Sequence, residues 1–146
     1  MSVAMKAKKP ASYAMHYNWW DGWLVYVDGP VERGQILRVC GTHKSYIRAT
    51  PAQPDKLLPS DFLLVAKHGA HPGSATIGLP ALAFEADTRL LDEDQPVFLG
   101  ADGSFAPDGR VHVGRVLRIG PASIEGGLPG MVMLHPRAGA AMVQSP

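Results

Sequence analysis

Few side chains in the sequence have the chemistry of a reactive site, and the densest group is a pair of histidines. His68 and His71 stand three positions apart around a glycine, directly before a Pro-Gly pair. Two imidazoles could bind a metal ion, but a protein metal site takes at least three protein ligands. His43 or His112 would have to complete such a site through the fold. We favour a solvated turn that carries both histidines.

The other candidate groups have equally ordinary interpretations. Cys40 ends the apolar run Ile36–Val39, where a thiol is usually buried and inert. Asp92-Glu93-Asp94 lacks the alternating spacing with which an acidic loop wraps one calcium ion, and this favours a solvated turn. The glycine-rich segment Gly126–Gly130 is not followed by the lysine of a phosphate-binding loop. The sequence therefore predicts a protein without enzymatic activity, metal or cofactor.

The aromatic residues near the start of the chain are harder to explain as part of a core. Trp19 and Trp20 are adjacent, and adjacent side chains of a strand point to opposite faces, so at least one of them needs a second packing partner. Tryptophan and tyrosine also dominate binding hot spots. We expect either an anchoring arm or a leader that ends in two core tryptophans. The predicted anchor consists of Lys6, Lys8, Lys9, Tyr13, Tyr17, Trp19 and Trp20.

Glycine and proline determine which elements can position these residues. The sixteen glycines and thirteen prolines leave only two stretches of more than nine residues without either, Ala11–Asp21 and Ala81–Gln95. A glycine or a proline inside a helix costs about 1 or about 3 kcal/mol respectively, so little helix can form. The short runs of Val, Ile, Leu and aromatic residues between these breakers are typical of strands.

The pattern predicts an all-β fold, a small barrel or sandwich with an extended N-terminal arm. Gly114 interrupts the alternation of one strand and predicts a bulge at which that strand switches faces. Ala81–Ala86 is predicted as a strand that leads into an acidic loop. The nine predicted strands are Trp23–Val27, Gln35–Cys40, Lys44–Arg48, Phe62–Lys67, Ala75–Ile77, Ala81–Ala86, Pro96–Leu99, Val111–Ile119 and Met131–His135.

Length and charge limit the remaining possibilities. A chain of 146 residues is enough for one domain, which we divide into an arm at 1–22, a single β domain at 23–136 and a loose tail at 137–146. Fourteen Lys and Arg against thirteen Asp and Glu give a net charge of +1, too balanced for a broad basic surface that binds nucleic acid. No apolar run is long enough to span a membrane, and no apolar signal segment follows the first lysines.

Residues 61–135 contain four short motifs in a fixed order. They are Leu63–His68, then Asp92-Glu93-Asp94-Gln95-Pro96-Val97-Phe98-Leu99 followed by Asp102-Gly103, then Val113–Leu117 and finally Gly130–Leu134. In this order they resemble the small β proteins that decorate or cement the capsids of tailed phages. Phe98 stands where such proteins often have tyrosine. The resemblance implies a virion structural protein without catalysis, assembled in the host cytoplasm and bound to the capsid surface. It implies two partners, the major capsid protein and further copies of the chain in a homotrimer.

Two other functions are compatible with the same residues. A stand-alone binding module for carbohydrate or peptide would use Trp19, Trp20 and Trp23 as a stacking platform. A metal-dependent β-barrel enzyme would use His68, His71 and His112 as ligands. Bound metal in the purified protein would indicate the enzyme, whereas association with capsids would indicate the decoration protein.

Overall fold

The computed structural model describes residues 17–18, 22–44, 46–121 and 125–136. Within these ranges the chain is all-β, as predicted, with two 3-10 turns at Pro54–Lys56 and Ala101–Gly103. The helical segments of this described part are too short to cross a membrane. The strands are β1 Tyr17–Asn18, β2 Gly22–Val27, β3 Ile36–His43, β4 Tyr46–Pro51, β5 Leu63–Ala66, β6 Ser74–Leu79, β7 Leu82–Glu85, β8 Pro96–Leu99, β9 Phe105–Ala106, β10 His112–Ile119 and β11 Gly130–Leu134.

Strands β2 to β6 form a closed barrel. The order around the ring is β2-β4-β3-β5-β6, and β2 closes it by pairing antiparallel with β6 from Trp23↔Gly78 to Val27↔Ser74. Five strands in a ring cannot alternate direction throughout, so at least one neighbouring pair has to be parallel. That pair is β2 and β4. Closure removes the free edges that an open sheet would have.

The barrel has its own apolar filling. Side chains alternate between the two faces of each strand, and the inward positions of the barrel strands hold small and branched apolar residues. The short strand β1 adds to the start of β2, where Tyr17 pairs with Trp23. The buried residues of the filling are Val25, Val27, Val31, Leu37, Ala49, Leu64 and Ala66.

The second sheet is curled but open. Its order is β7-β11-β10-β8-β9, and every pair in it is antiparallel. β7 and β9 are therefore its edge strands. Its concave side packs on the barrel, and the two sheets share a second core. Barrel strands and loops contribute Ile36, Ala52, Leu57, Leu63 and Val65, and the second sheet and its loops contribute Ala86, Val97, Leu99, Val111, Val113, Val116, Val132 and Leu134.

The turn Ala101–Gly103 connects the second sheet to the barrel. Gln35 donates from Nε2 to the carbonyl oxygen of Asp102, and Gln53 donates from Nε2 to Oδ1 of Asp102. Gly103 is buried at a positive φ of 80°, and a Cβ at this position would overlap the carbonyl oxygen of Ile36. Only glycine lets the turn approach β3 this closely.

The bulge predicted at Gly114 is confirmed. The pairing of β10 with β8 shifts register between His112 and Gly114. Val113 on the N-terminal side of the bulge and Val116 on the C-terminal side are both buried, so the inward positions change from odd to even numbers. A Cβ on Gly114 would overlap the carbonyl oxygen of Met133 on β11. The absence of a side chain is therefore what allows the strand to bend here.

All nine predicted strands are present, with differences at their ends and two additions. β4 starts at Tyr46 rather than Lys44, because Lys44 has a φ of 51° and forms the turn between β3 and β4. β4 then continues to Pro51, three residues beyond its predicted end at Arg48. The two-residue strands β1 and β9 were not predicted. The division into arm, domain and tail stays a prediction, and most of the arm and the whole tail lie outside the described residues.

Candidate functional site

Most of the predicted anchor lies outside the described residues. This holds for Lys6, Lys8, Lys9, Tyr13, Trp19 and Trp20. The backbone of Tyr17 is described, and it pairs with Trp23 at the start of β2. The described chain therefore joins the barrel beside Trp23, whose side chain is partly exposed. The role of the arm as an anchor stays a prediction.

The histidines do not form a common site. His68 and His71 lie exposed in the loop between β5 and β6. Their carbonyl oxygens accept hydrogen bonds from Thr76 Oγ1 at 2.7 Å and from Ser74 Oγ at 2.6 Å, which holds the loop as a turn. His112 lies in the second sheet. No group of three or more His, Cys, Asp or Glu side chains in the described part of the chain is arranged to hold a metal ion. The described structure therefore does not bring His68, His71 and His112 together as a set of metal ligands.

Cys40 and the acidic turn also have structural roles. The Sγ atom of Cys40 lies 3.5 Å from the carbonyl oxygen of Arg48, in a half-buried position beside the register shift between Val39 and Gly41. Asp94 has a φ of 65°, and its carboxylate accepts a hydrogen bond of 2.8 Å from Arg115. The residues that the sequence offered for chemistry thus hold turns and strand ends in place.

The convex side of the second sheet carries both apolar and charged side chains. The inward side chains of this sheet belong to the shared core, so strand alternation turns their neighbours outward. His112 pairs with Phe98, and their rings meet edge to face at 5.7 Å. Leu117, at a second register shift of β10, is 39% exposed. We call the apolar part of this surface the outer face and define it by Phe98, His112, Arg115, Leu117, Met131 and Met133. Arg118 and Glu85 lie on the same side of the sheet, opposite Met131.

The composition of the outer face is that of a protein–protein interface. Aromatic residues, methionine and arginine are enriched at the centre of such interfaces, whereas lysine, glutamate and aspartate are depleted there. A sheet that packs on only one side usually alternates apolar and polar residues. The strands β8, β10 and β11 instead place methionines, a phenylalanine and a leucine on the side away from the core. This surface is suited to being covered by a partner.

A second feature is a cavity that runs along β7, an edge strand of the second sheet. Its volume is about 730 Å³, which lies within the range of binding pockets. The rings of Phe84 on β7 and Phe105 on β9 stand 6.5 Å apart, edge to face. Both rings also line a smaller adjoining cavity of about 230 Å³ together with Arg33. We call this groove the seam, and define it by Arg33, Phe84, Glu85, Phe105 and Leu128.

The backbone of β7 presents hydrogen-bonding groups to the seam. The amide of Ala86 donates to the carbonyl oxygen of Gly130, and the amide of Thr88 donates to that of Pro129, both at 3.3 Å. These amides therefore point toward β11. In an antiparallel strand the direction alternates from one residue to the next, so the N–H and C=O groups of Ala83 point away from β11. An incoming strand could pair with them.

Of the charged side chains around the seam, Asp87 forms an ion pair with Arg89, whereas Arg33 forms none with a described residue. Arg89 donates to Asp87 from Nε at 3.0 Å and from Nη2 at 2.6 Å, and its backbone amide donates to the same carboxylate at 3.1 Å. The side-chain hydrogen bonds from Arg89 are the main cause that lowers the pKa of Asp87 from 3.8 to about 2. Arg33, in contrast, makes no ion pair with a described residue. It lines the seam together with the acidic residues Glu85 and Glu32.

Sequence reasoning missed the seam because its residues are ordinary in isolation. Phe105 follows the Asp102-Gly103 turn, and this turn could have indicated a hairpin with a short second strand. Comparison with protein-family models, with curated proteins and with solved structures finds no match to the chain. The functional argument therefore rests on the outer face and the seam.

Proposed function

We propose that the protein is a non-enzymatic structural protein of a phage virion, which binds the outside of the capsid and stabilises it. The observation that carries this proposal is the outer face, because an apolar surface on the convex side of a sheet is stabilised when another protein covers it. The resemblance of residues 61–135 to capsid decoration proteins supports the same role. Its partners would be the major capsid protein and further copies of the chain.

The remaining parts of the proposal follow from this role. A homotrimer on the capsid lattice is the proposed assembly, since symmetric association also covers exposed strand edges. The virion surface is the proposed location, after assembly in the host cytoplasm. The N-terminal arm would add contacts to the capsid through its lysines and aromatic residues.

Capsid binding by variants of the outer face tests the proposal. Leu117→Lys places a charge on the outer face at an exposed position, so it should leave folding intact and weaken binding to purified capsids at least tenfold in a co-sedimentation assay. Leu58→Lys is the matched control, because Leu58 is 61% exposed and lies in a loop of the barrel. Mass spectrometry of purified virions should find the chain at a copy number comparable with the major capsid protein.

Two measurements can contradict the proposal, namely sedimentation of the protein with capsids and its presence in virions. If the wild-type protein does not sediment with capsids and is absent from virions, the capsid role is wrong. If it binds but Leu117→Lys binds as tightly, the outer face is not the surface that contacts the shell. A thermal melt of both lysine variants separates these outcomes from misfolding.

A peptide-binding module is the second candidate, and one observation favours it. The seam combines an edge strand of the second sheet, in which the N–H and C=O groups of Ala83 point away from β11, with an aromatic cavity. These are the two elements of a site that binds an extended peptide.

A further inference from the structure

We infer that Asp108 and Gly109 form a site of spontaneous covalent modification, at which aspartate converts to isoaspartate. Asp-Gly pairs react in this way because glycine has no Cβ to hinder the approach of its amide nitrogen to the preceding side chain. The chain has four such pairs, Asp21-Gly22, Asp28-Gly29, Asp102-Gly103 and Asp108-Gly109. Asp21 lies outside the described residues, and the other three pairs have different surroundings. This inference does not depend on capsid binding.

The reaction needs no cofactor, and water is its only co-reactant. The amide nitrogen of Gly109 attacks Cγ of the protonated Asp108 carboxyl. An N–Cγ bond forms, and the carboxyl hydroxyl leaves as water together with the amide proton. Water then opens the resulting five-membered succinimide ring. When it breaks the bond between the nitrogen and the original main-chain carbonyl, the backbone runs through Cβ and Cγ and is one methylene group longer.

Both reacting groups are free at Asp108 and Gly109. The two residues are exposed in the turn between β9 and β10. The carboxylate of Asp108 and the amide of Gly109 make no hydrogen bond or ion pair with a described residue. Exposed turns with few internal contacts rearrange at little cost. The turn can therefore bring the nitrogen and Cγ together without breaking an internal hydrogen bond.

The carboxylate of Asp28 is engaged in an ion pair. It accepts hydrogen bonds from Nε of Arg48 at 2.9 Å and from Nη2 at 2.8 Å. This contact has to open before the carboxyl can react with Gly29. Because both partners are partly exposed and such pairs are weak, we expect the ion pair to slow the reaction by only about two- to fivefold.

Asp102 is held much more firmly. Gln53 donates to its carboxylate, and Gln35 donates to its carbonyl oxygen. Gly103, which would supply the attacking nitrogen, is buried against the backbone of Ile36. The turn would have to leave the barrel before its groups could react. We therefore expect the reaction at Asp102 to be at least tenfold slower than at Asp108.

Modification would alter the packing beside Phe98. Gly109 lies so close to this residue that an added Cβ would stand 3.0 Å from Phe98 Cβ. A backbone that is one methylene group longer cannot keep the turn in the same position against Phe98. The modified protein thus presents a changed edge of the outer face.

Peptide mapping of the full-length protein by mass spectrometry, with fragmentation that locates each isoaspartate, tests the inference. The protein is incubated for weeks at neutral pH and physiological temperature. Isoaspartate should accumulate at Asp108 about two- to fivefold faster than at Asp28 and at least tenfold faster than at Asp102. In urea, where the folded contacts are lost, the three rates should agree within about twofold. Asp108→Glu is the control, because the six-membered ring it would need forms far more slowly, and it should give no product at this position.

Arg48→Met tests the protection of Asp28 separately. It removes the donors and should raise the rate at Asp28 to that at Asp108, whereas Arg38→Met, on the neighbouring strand β3, should leave it unchanged. Folded-state rates that are equal at the three sites, or fastest at Asp28 or Asp102, would overturn the inference. So would folded protein that forms no isoaspartate at Asp108 in the time that unfolded protein does. A thermal melt of each variant confirms that the compared proteins are folded.

Discussion

The barrel and the second sheet each consist of five strands with similar apolar residues, yet only one of them is closed. In the barrel, β2 returns to β6, and its interior is filled by its own apolar side chains. In the second sheet, β7 and β9 approach each other only through the rings of Phe84 and Phe105. One unit therefore satisfies its backbone internally, whereas the other keeps an edge exposed to its surroundings.

Because of this difference, the barrel can provide stability while the second sheet provides the surfaces for binding. The closed barrel provides a rigid support, against which the second sheet packs its concave side. The open sheet then presents both candidate binding surfaces, the outer face and the seam. Binding residues placed on a rigid support lose less conformational entropy when they bind.

The largest expected effect comes from introducing the same proline into each unit. Ala49 lies in β4 between β2 and β3 and is fully buried. Ala49→Pro should cost about 1–3 kcal/mol for an unpaired buried backbone group and a further 1–3 kcal/mol or so for overpacking. Ala83→Pro, whose amide points into the seam, should change stability by less than about 1 kcal/mol. Thermal melts of both variants measure the difference.

If Ala49→Pro and Ala83→Pro lose the same large amount of stability, the distinction between a closed barrel and an open second sheet is wrong. That outcome would mean that the edge of β7 is as constrained as a barrel strand. Equal and small effects would mean instead that the barrel is not closed in solution.

A smaller loss of stability should show that the interior of the second sheet is tightly packed, although the sheet is not closed into a ring. Gly114→Ala forces a methyl group against the backbone of Met133 and should destabilise the protein by about 1–3 kcal/mol, as overpacking usually does. Gly29→Ala is the control, since no atom lies within 4 Å of its Cβ position, and it should change stability by no more than about 0.5 kcal/mol. Urea denaturation measures both. A Gly114→Ala variant as stable as the control would indicate a loosely packed sheet.

The smallest effect concerns a single ion pair beside the seam. Arg89→Gln removes the side-chain donors to Asp87, so the pKa of Asp87 should rise from about 2 most of the way to 3.8. Because folding lowers this pKa, the pair stabilises the fold above about pH 4, and this contribution disappears as the pH falls toward 2. An NMR titration of the Asp87 carboxyl carbon measures the pKa. The control variant Arg115→Gln should leave it at about 2, and an unchanged value in Arg89→Gln would contradict the assigned contact.

The strands were predictable from the sequence because their signals are local. Glycine and proline mark where each strand stops, and the interruption at Gly114 correctly indicated the bulge. The start of β4 was predicted two residues early, since the left-handed conformation of Lys44 has no marker as clear as glycine. A small barrel was one of the two predicted architectures, but the strands that close it were not predictable, because β2 pairs with β6 across a long stretch of chain and nothing in either strand specifies that partner.

The candidate site was less accessible to sequence reasoning than the fold. Phe84 was part of a predicted strand, but its importance depends on β7 being an edge strand, which is a property of the whole sheet order. Arg33 is one arginine among several, and only the structure shows that it lines the seam without an acidic partner. The residues that stood out in the sequence were His68, His71 and Cys40, because histidine and cysteine side chains can bind metals or react in any structural context.

Closure of the barrel between β2 and β6 also determines when the protein can fold during synthesis. Val25 and Thr76 are partners in this pair, so β2 leaves the ribosome about fifty residues before the strand that completes its ring. Contacts between residues distant in sequence slow folding, because the intervening chain must first be ordered. In the second sheet β7 waits over a similar distance, because Leu82 pairs with Leu134 of β11. All strands of the barrel have left the ribosome once β6 has been made, so the rigid support can be complete before the sheet that packs on it.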